Sequence, residues 1–209
     1  FLAQILFSSR LIIQWFYSEK KNKIITPSIF WILSLLGSFL LFIYGYLRND
    51  FAIMLGQSLT YFIYIRNLQL QKEWIKLNIL IRFLFITFPA YIVLYYYNNN
   101  VIDLDILIRE TDIPKWLFVL GIISQLIFTL RFIYQWIYSE NKKESTLPLG
   151  FWLLSISGSI LILSYAIFRS DPVLFIGHII GTFIYSRNIY IYLTKKIKQV
   201  FFLYIQLPF

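Results

Sequence analysis

Two arginines lie inside apolar stretches, and each is accompanied by polar residues at helical spacing. Arg10, Gln14 and Tyr17 are four and then three positions apart, so they lie on one face of a helix. The same spacing recurs at Arg131, Gln135 and Tyr138. A charge at the centre of a membrane helix costs about 2.5–3.5 kcal/mol on insertion scales, so such a residue persists where it has a partner or faces a polar cavity.

Two explanations of these arginines are open. In the first, each is an internal charge held by a carboxylate or by carbonyls at a helix end, and Glu19 and Glu140 are the nearest acidic residues in sequence. In the second, the guanidinium groups bind an anionic headgroup or a sugar phosphate, because their planar fork matches phosphate oxygens. The second explanation makes both faces, with Glu19 and Glu140 beside them, candidate substrate-binding surfaces.

A second set of candidate binding residues lies further along each half of the chain. It consists of a Tyr-x-Arg-Asn run that occurs twice, as Tyr64, Arg66 and Asn67 and as Tyr185, Arg187 and Asn188. Gln57 and His178 precede these runs by equal distances but differ in chemistry. This pair indicates a wet central face with an asymmetric ligand, and a histidine hydrogen-bonded within a helix bundle is the alternative.

Tryptophans flank the same polar residues. Trp15 and Trp136 are counted among the candidate binding residues, because an indole ring is a stacking platform for a sugar. These two and the pair Trp31 and Trp152 also fit an aromatic belt at a membrane interface. The belt is the favoured explanation, since Trp31 lies one turn into its stretch.

Prolines and glycines in both halves are predicted to shape helices. Pro27 and Pro148 stand where apolar stretches begin, and helix starts tolerate proline. Gly177 and Gly181 have the GxxxG spacing that lets helix backbones approach closely. The predicted hinge and packing residues are Pro27, Gly37, Gly56, Pro148, Gly158, Gly177 and Gly181.

These residues occur in pairs because the chain contains an internal duplication. Residues 10–67 align without a gap to residues 131–188, and about 25 of the 58 positions are identical. Such self-similarity marks a repeat architecture. Identical apolar positions arise easily in an apolar chain, but identical arginine, glutamine, glutamate and asparagine positions do not. Any function is therefore expected to be built from two copies of one unit.

The composition indicates an integral membrane protein. Of 209 residues, 59% are hydrophobic and only 14% are charged, whereas soluble domains carry about 25% charged residues. Apolar stretches of about 20 residues match the thickness of a bilayer. The net charge of +9 suits lysines that face anionic lipid, and nucleic acid is not an expected partner because the lysines lie in short separate loops.

Catalytic chemistry has little support in the sequence. The chain has no cysteine and one histidine, which excludes thiolate nucleophiles, disulfides and a polyhistidine metal site. The polar segments contain no nucleophile–base pair and no glycine-rich phosphate loop. Asp103 and Asp105 form an isolated Asp-x-Asp sequence in an acidic loop, which is typical of a solvated turn. We expect no catalytic residues, no metal and no cofactor.

The predicted fold class is all-α, with seven membrane-spanning helices arranged as three plus one plus three. The first three-helix repeat covers residues 1–71, and a linker helix with an acidic outer loop covers 72–115. The second repeat covers 116–194, and a basic and then apolar tail covers 195–209. The linker helix adds one crossing, which makes the two three-helix bundles parallel.

The charges of the loops predict an orientation. Lysines gather in residues 20–23, 72–76, 142–143 and 195–198, whereas aspartates and Glu110 gather in residues 50, 103–112 and 171. Short cytoplasmic loops carry the excess of basic residues. The N-terminus is therefore expected outside and the C-terminus in the cytoplasm.

The repeated polar pattern resembles a known family. The run Q-W-x-Y-S-E … P-x-x-F-W-x-x-S-x-x-G-S … R-x-D … I-Y-x-R-N, present in both copies, is similar to the lipid-A-disaccharide synthase N-terminal-like domain. The resemblance implies a bacterial inner-membrane protein of lipid A biosynthesis, with sugar transfer performed by a separate soluble glycosyltransferase domain. That family is similar in turn to the PQ-loop, MtN3 and SWEET transporters, although Ser28 and Leu149 stand where a PQ motif has glutamine.

Three functions are expected from the resemblance and the buried polar residues. The first is a transporter or flippase for a lipid-linked sugar or lipid A intermediate, in which two repeats rock around a central polar cavity. The alternative is a membrane anchor or accessory domain that presents substrate to a separate glycosyltransferase. The third is a membrane enzyme of lipid A assembly. Membrane lipids, a lipid A precursor and a glycosyltransferase are the expected partners, and self-association is left open.

Overall fold

The described part of the chain is helical. A computed structural model describes residues 2–47, 51–98, 114–170 and 172–205, and within these ranges it contains seven long helices and no strand. The helices are α1 (Leu2–Lys21), α2 (Ser28–Leu47), α3 (Phe51–Leu70), α4 (Ile79–Asn98), α5 (Lys115–Lys142), α6 (Leu149–Arg169) and α7 (Pro172–Ile205). A short 3₁₀ helix, Trp74–Lys76, precedes α4.

Helices α1 and α5 are each followed by a residue in the left-handed region of backbone space. After α1, Asn22 has φ 47° and the amide of Lys23 donates to the carbonyl of Ser18 at 3.2 Å, which is the six-to-one bond of a Schellman motif. Lys143, at the equivalent position after α5, has φ 56°. The two copies therefore reverse direction in the same way before their second helices.

Helix boundaries differ from the sequence-based expectation in a few places. α1 continues to Lys21, so two of the lysines that the sequence places in a loop at residues 20–23 belong to a helix. α7 continues to Ile205, so the lysines after Thr194 belong to a helix. Pro148 precedes the first helical residue of α6, whereas the sequence predicts that it starts the helix. Its φ of −71° with an extended ψ of 167° suits an N-cap residue.

Polar residues are buried and large apolar residues are exposed along these helices. Arg10, Gln14 and Asn67 are buried, as are Gln135 and Asn188. By contrast, Leu2 is 61% exposed and Leu80 is 74% exposed, and many other leucine, isoleucine and phenylalanine side chains share this exposure. Soluble proteins rarely leave such extensive apolar surface uncovered.

Within the described ranges, two helices are long and apolar enough to cross a membrane, α5 and α6. Shorter apolar segments occur at Ser28–Tyr44 in α2 and Ile79–Ile92 in α4. α1 carries Arg10 and, at its end, Glu19, Lys20 and Lys21, which lower its mean hydropathy. The expected arrangement of seven spanning helices therefore stays a prediction.

The chain divides into two compact units. The first comprises Phe1–Arg10, Ser28–Ile113 and Lys143–Ser145, and the second comprises Leu11–Pro27, Pro114–Lys142 and Thr146–Phe209. The beginning of α1 thus belongs to the first unit and its end to the second. The boundaries of the two three-helix repeats, at residues 1–71 and 116–194, stay a prediction.

Some expectations fall on residues that lie outside the described ranges. They are the acidic outer loop with Asp103 and Asp105, the aspartates Asp50 and Asp171, and the last residues of the tail. The surroundings of Gly56 are also outside what the structure describes.

Candidate polar site

Arg10 is held by hydroxyl groups of the two following helices. Its Nη1 donates to Ser34 Oγ on α2 at 2.7 Å and to Tyr64 Oη on α3 at 3.3 Å. Its guanidinium carbon lies 4.6 Å from the centroid of the Phe7 ring and 5.2 Å from that of Phe30, both within cation–π range. These partners all belong to the first unit.

Arg131 has the same arrangement in the second unit. Its Nη1 donates to Ser155 Oγ on α6 at 3.4 Å and to Tyr185 Oη on α7 at 3.1 Å. Its guanidinium carbon lies 3.5 Å from the centroid of the Phe128 ring. The serine partner is 24 positions and the tyrosine partner 54 positions away in both copies, so the duplication has preserved a three-dimensional contact set.

These contacts fit the internal-charge explanation of the arginines, and the binding of a phosphate stays a prediction. The contacts described above are with neutral hydroxyl groups and aromatic faces, whereas the sequence pointed to Glu19 and Glu140 or to helix-end carbonyls. A guanidinium that donates to hydroxyls and lies against aromatic rings keeps much of its charge stabilised without water.

The side-chain amides of Gln14 and Asn188 form a reciprocal pair in the second unit. Gln14 Nε2 donates to Asn188 Oδ1 at 2.9 Å, and Asn188 Nδ2 donates to Gln14 Oε1 at 3.2 Å. Gln14 Nε2 also donates to Ser18 Oγ at 2.9 Å. Since both amides are fully buried, this pair links α1 to α7 through groups that would be costly to leave unsatisfied.

Ser18 fixes the loop that follows α1. Its hydroxyl accepts a hydrogen bond from the amide of Ile25 at 3.0 Å. In the second copy, Ser139 accepts from the amide of Thr146 at 3.1 Å, and Gln135 Nε2 donates to Ser139 Oγ at 2.8 Å. Each glutamine face is therefore joined to its own basic loop.

Glu19 forms an ion pair with Arg187, 168 positions away. Arg187 Nε donates to Glu19 Oε2 at 3.0 Å, and Nη2 donates to Oε1, so the contact is bidentate. These hydrogen bonds hold the pKa of the Glu19 carboxyl below its ordinary value. Both side chains are 38% exposed, which places the pair at the margin of the packed helices.

Asn67 and Arg66 have hydrogen-bond partners among the described residues. Asn67 Oδ1 accepts a hydrogen bond from Ser145 Oγ at 2.8 Å, and its Nδ2 donates to the carbonyl of Ile63 at 2.8 Å. Arg66 Nη1 donates to Gln69 Oε1 at 3.2 Å. Glu140 is half-buried.

Gln57 and His178 hold equivalent serines. Ser38 Oγ donates to Gln57 Oε1 at 3.0 Å, and Ser159 Oγ lies 3.0 Å from His178 Nδ1. The histidine is therefore hydrogen-bonded inside its own unit, as the simpler sequence interpretation expected. The asymmetric ligand stays a prediction.

The tryptophan and tyrosine expectations have mixed outcomes. Trp31 and Trp152 are fully buried, so an interface belt is wrong for them; they pack against Phe30 and Phe151 at ring-centroid distances of 4.8 and 5.0 Å. Trp15 contacts the edge of Phe183 at 5.7 Å. The remaining aromatic candidates, Trp136, Tyr17 and Tyr138, are exposed or half-buried.

Two of the predicted packing glycines stand at close approaches. A Cβ at Gly158 would lie 2.9 Å from the backbone of Phe128, so α5 and α6 touch there. A Cβ at the equivalent Gly37 would lie 3.2 Å from the Phe7 ring. Gly181 makes room for the ring of Tyr185 on its own helix, whereas Gly177 is exposed.

The described residues contain no cluster of three or more histidine, cysteine, aspartate or glutamate side chains that could hold a metal ion. What the arrangement does chemically is to satisfy buried polar groups by hydrogen bonds between helices. The absence of a metal or cofactor from the function stays a prediction.

The comparison with protein-family models decides the family. Residues 1–69 and 120–190 match the Lipid A Biosynthesis N-terminal domain. The chain belongs to this family. The two matched segments contain the two copies of the repeated unit, residues 10–67 and 131–188.

Curated relatives of the chain are named lipid-A-disaccharide synthase. The chain is 32% identical to the synthase of Chlamydia felis, in an alignment that covers 93% of the chain. It is 29% identical to the synthase of Chlamydia abortus over 93% of the chain and 28% identical to the synthase of Chlamydia pneumoniae over 94% of the chain. It spans about a third of the length of these relatives, 33%, 32% and 33%. No solved structure matches the chain.

Among the hydroxyl groups of this family domain that bind the buried polar residues, those of Tyr64 and Tyr185 were predicted as binding residues from sequence, whereas those of Ser18 and Ser34 were not. Both serines have a counterpart 121 positions later, and that repetition was the available signal. Small residues in apolar helices are typical of close helix contacts, so Ser34 and Ser155 do not stand out in the sequence as partners of an arginine.

Proposed function

We propose that the chain is a membrane domain that anchors a glycosyltransferase of lipid A biosynthesis and presents lipid substrate to it. The observation that carries the proposal is the match of both copies to the Lipid A Biosynthesis N-terminal domain. The relatives that share this region bear the name of a disaccharide synthase, and two thirds of their length lies beyond it. Sugar transfer is assigned to that kind of region or to a separate enzyme, and substrate positioning to this one.

The burial pattern supports a place in the membrane. The side chains of Gln14, Asn67 and Asn188 are fully buried, while leucines, isoleucines and phenylalanines are exposed. In a bilayer the surrounding solvent is apolar, so polar groups must find partners inside the protein. The proposed location is the bacterial inner membrane.

We further propose that seven helices cross this membrane as two parallel three-helix bundles with α4 as the linker, as in SWEET-like proteins. The N-terminus would lie outside and the C-terminus in the cytoplasm. The chain has no cysteine, so a single introduced cysteine can report on which side of the membrane its position lies. Lys142→Cys should react with a membrane-impermeant maleimide only in inverted vesicles, and Ser170→Cys only in right-side-out vesicles. The opposite pattern would reverse the orientation, and labelling of both from one side would remove an α6 crossing.

Anchoring has better support than transport. A carrier needs polar groups that exchange partners with a substrate, and the arginines expected to do so donate to hydroxyls of their own unit at 2.7–3.4 Å. Hydrogen bonds that join the helices of one unit are what a scaffold requires. The relatives' name also concerns synthesis rather than movement of a lipid.

The test uses vesicles that contain the purified chain and a soluble lipid-A-disaccharide synthase catalytic domain. We expect the enzyme to float with these vesicles at least about tenfold more than with vesicles carrying an unrelated helical membrane protein. A tenfold partition corresponds to about 1.4 kcal/mol of added affinity. Equal flotation of the two vesicle types would reject anchoring.

The same vesicles test transport. A fluorescent lipid-linked sugar is placed in both leaflets, and the fraction accessible to an external quencher is followed with time. Anchoring predicts the slow exchange of empty vesicles. Rapid exchange that depends on the chain, together with equal flotation, would favour the transporter over the anchor.

A further inference from the structure

In the first repeat, the outer face of the second and third helices is covered by a further helix. Phe85 of α4 has its ring centroid 5.0 Å from that of Phe39 on α2 and 6.3 Å from that of Tyr61 on α3. Phe88, one turn later on α4, lies 6.3 Å from Phe42. Phe42 and Tyr61 are each only 1% exposed. α4 therefore closes the groove between α2 and α3.

The equivalent face of the second repeat is open. Ile160 on α6, the counterpart of Phe39, is 51% exposed. Ser186 on α7 is exposed, whereas its counterpart Ile65 is only 5% exposed. The same surface of the repeated unit is thus packed in one copy and uncovered in the other. The open groove is defined by Ile160, Ile179, Thr182 and Ser186.

The residues of α7 in the open groove are small where the first repeat has large ones. Thr182 replaces Tyr61 and Ser186 replaces Ile65, so two small residues stand four positions apart. Ser186 Oγ donates to the carbonyl of Thr182 at 2.8 Å, and Thr182 Oγ1 donates to the carbonyl of His178 at 2.8 Å. Both hydroxyl groups therefore donate within α7, and the groove needs no polar partner from outside.

This replacement favours a helix over lipid as the occupant of the open groove. In a membrane, helices associate by close packing, and their interfaces are enriched in small residues that let the backbones approach. Positions elsewhere on α7 that face outward keep large apolar side chains, as at Ile176 and Ile180, which are 58% and 49% exposed. The first repeat also shows that this surface of the unit accepts a helix.

The groove has the properties of a surface that pairs with its own copy. Ile179, Thr182 and Ser186 are three and then four positions apart, so they share one face of α7, and none of them is charged. The neighbouring charge is directed elsewhere, because Arg187 Nε donates to Glu19 Oε2 at 3.0 Å. A twofold axis would therefore bring no like charges together across this face, and twofold dimers are the commonest symmetric assemblies.

We propose that the open groove is the contact between two copies of this chain, with α7 of one copy packed against α7 of the other around a twofold axis. The inference goes beyond the proposed function, since it concerns self-association. It uses the membrane placement proposed above and does not depend on anchoring.

Disulfide formation between copies tests the contact. The chain has no cysteine, so purified Ile179→Cys, Ile180→Cys and Ser186→Cys can each be oxidised in lipid vesicles. Ile180 is the matched control: it is 49% exposed against 47% for Ile179 and lies about 100° away around the helix. We expect cross-linked dimers at Ile179→Cys and Ser186→Cys, because a disulfide requires Cα atoms within about 7 Å, and only background at Ile180→Cys.

The contrary results are equally distinct. If Ile179→Cys and Ser186→Cys cross-link no more than Ile180→Cys, contact between copies is random or absent, lipid covers the groove and the proposal is overturned.

Two substitutions of Ser186 test the close approach of the helices. Ser186→Ala keeps a small side chain and should leave the dissociation constant of the dimer within about threefold. Ser186→Ile introduces the residue type of the first repeat and should raise that constant by about tenfold or more, because overpacking forces the backbones apart. Sedimentation equilibrium in density-matched detergent measures the constants, and thermal unfolding of each variant checks its fold. An unchanged constant for Ser186→Ile would overturn the α7 contact.

The outcome separates this inference from the proposed function. Absence of specific cross-links, with the catalytic domain still floating with the vesicles, rejects the dimer alone. Specific cross-links without flotation of the enzyme reject anchoring alone.

Discussion

Gln14 and Asn188 exchange two hydrogen bonds through their side-chain amides, at 2.9 and 3.2 Å, across 174 positions of sequence. Both amides are fully buried, and Asn188 Nδ2 also donates to the carbonyl of Ile184 at 2.9 Å. Such a pair selects one register between α1 and α7, since a shift of either helix by one residue would take the buried amide oxygens of Gln14 and Asn188 away from these donors.

The first prediction concerns this pair. Gln14→Leu should destabilise the protein by about 1–3 kcal/mol, because it leaves the amide of Asn188 buried with a lost partner. Asn188→Leu should cost a similar amount. The double variant should cost clearly less than the sum of the two, since contacting residues are coupled by about 0.5–3 kcal/mol. Unfolding in mixed micelles gives the free energy of unfolding of the unmodified chain, the two single variants and the double variant. Strict additivity of the two single effects would show that the amides do not act as a pair.

The second prediction compares the two arginine sites. Ser34 lies 2.7 Å from its arginine and Ser155 lies 3.4 Å from its own, so Ser34→Ala should destabilise more than Ser155→Ala. The tyrosines have the opposite order, 3.3 Å at Tyr64 and 3.1 Å at Tyr185, so Tyr185→Phe should cost more than Tyr64→Phe. Hydrogen bonds to charged groups contribute about 1.5–3 kcal/mol. The free energies of unfolding of the four variants test this. If the variants of one copy were the more destabilising in both the serine and the tyrosine comparison, the geometry would be contradicted.

Sequence reasoning predicted the features that depend on neighbouring residues. Apolar length predicted seven helices, and the described ranges contain seven, but residues 195–209 were predicted as a tail whereas α7 continues to Ile205. The repeat offset of 121 positions located the polar pairs, and the structure shows that equivalent residues such as Arg10 and Arg131 have equivalent partners. These inferences needed only periodicity and self-comparison.

Partners between helices were harder to predict. Glu19 was expected near Arg10 because it is close in sequence, but it pairs with Arg187, and Arg10 binds hydroxyls. Helical periodicity assigns a face to each residue without saying which helix covers that face. Trp31 was misplaced for the same reason: its position near a helix start fits an interface, whereas packing of the neighbouring helices buries it completely.

The third prediction concerns pH. The hydrogen bonds from Arg187 hold the pKa of Glu19 below the ordinary value of 4.5, so the unfolded chain binds more protons there than the folded one in acid. The contribution of the pair is present above about pH 4.5 and is lost as the pH falls through the lower folded-state value. Glu19→Gln should remove this part of the pH dependence of unfolding while leaving the remainder.

Salt provides an independent check of the same pair. Because both side chains are 38% exposed, the difference between the unmodified chain and Glu19→Gln at pH 7 should shrink as ionic strength rises, since exposed charges are screened. A difference that does not respond to either pH or salt would mean that Glu19 acts through packing rather than through its charge.

The fourth prediction uses the equivalent glycines as a matched pair. Gly158→Ala places a Cβ 2.9 Å from the backbone of Phe128, and backbone cannot rotate away, so α5 and α6 must separate. Overpacking of this kind costs about 1–3 kcal/mol. Gly37→Ala places its Cβ 3.2 Å from the ring of Phe7, which can give by a few tenths of an ångström. An alanine in a helix also gains about 1 kcal/mol over glycine, so Gly37→Ala should be close to neutral while Gly158→Ala remains destabilising. Unfolding of the two variants in the same detergent compares them directly, and equal effects at the two positions would show that the approach of α5 to α6 at Gly158 is no tighter than the ring contact at Gly37.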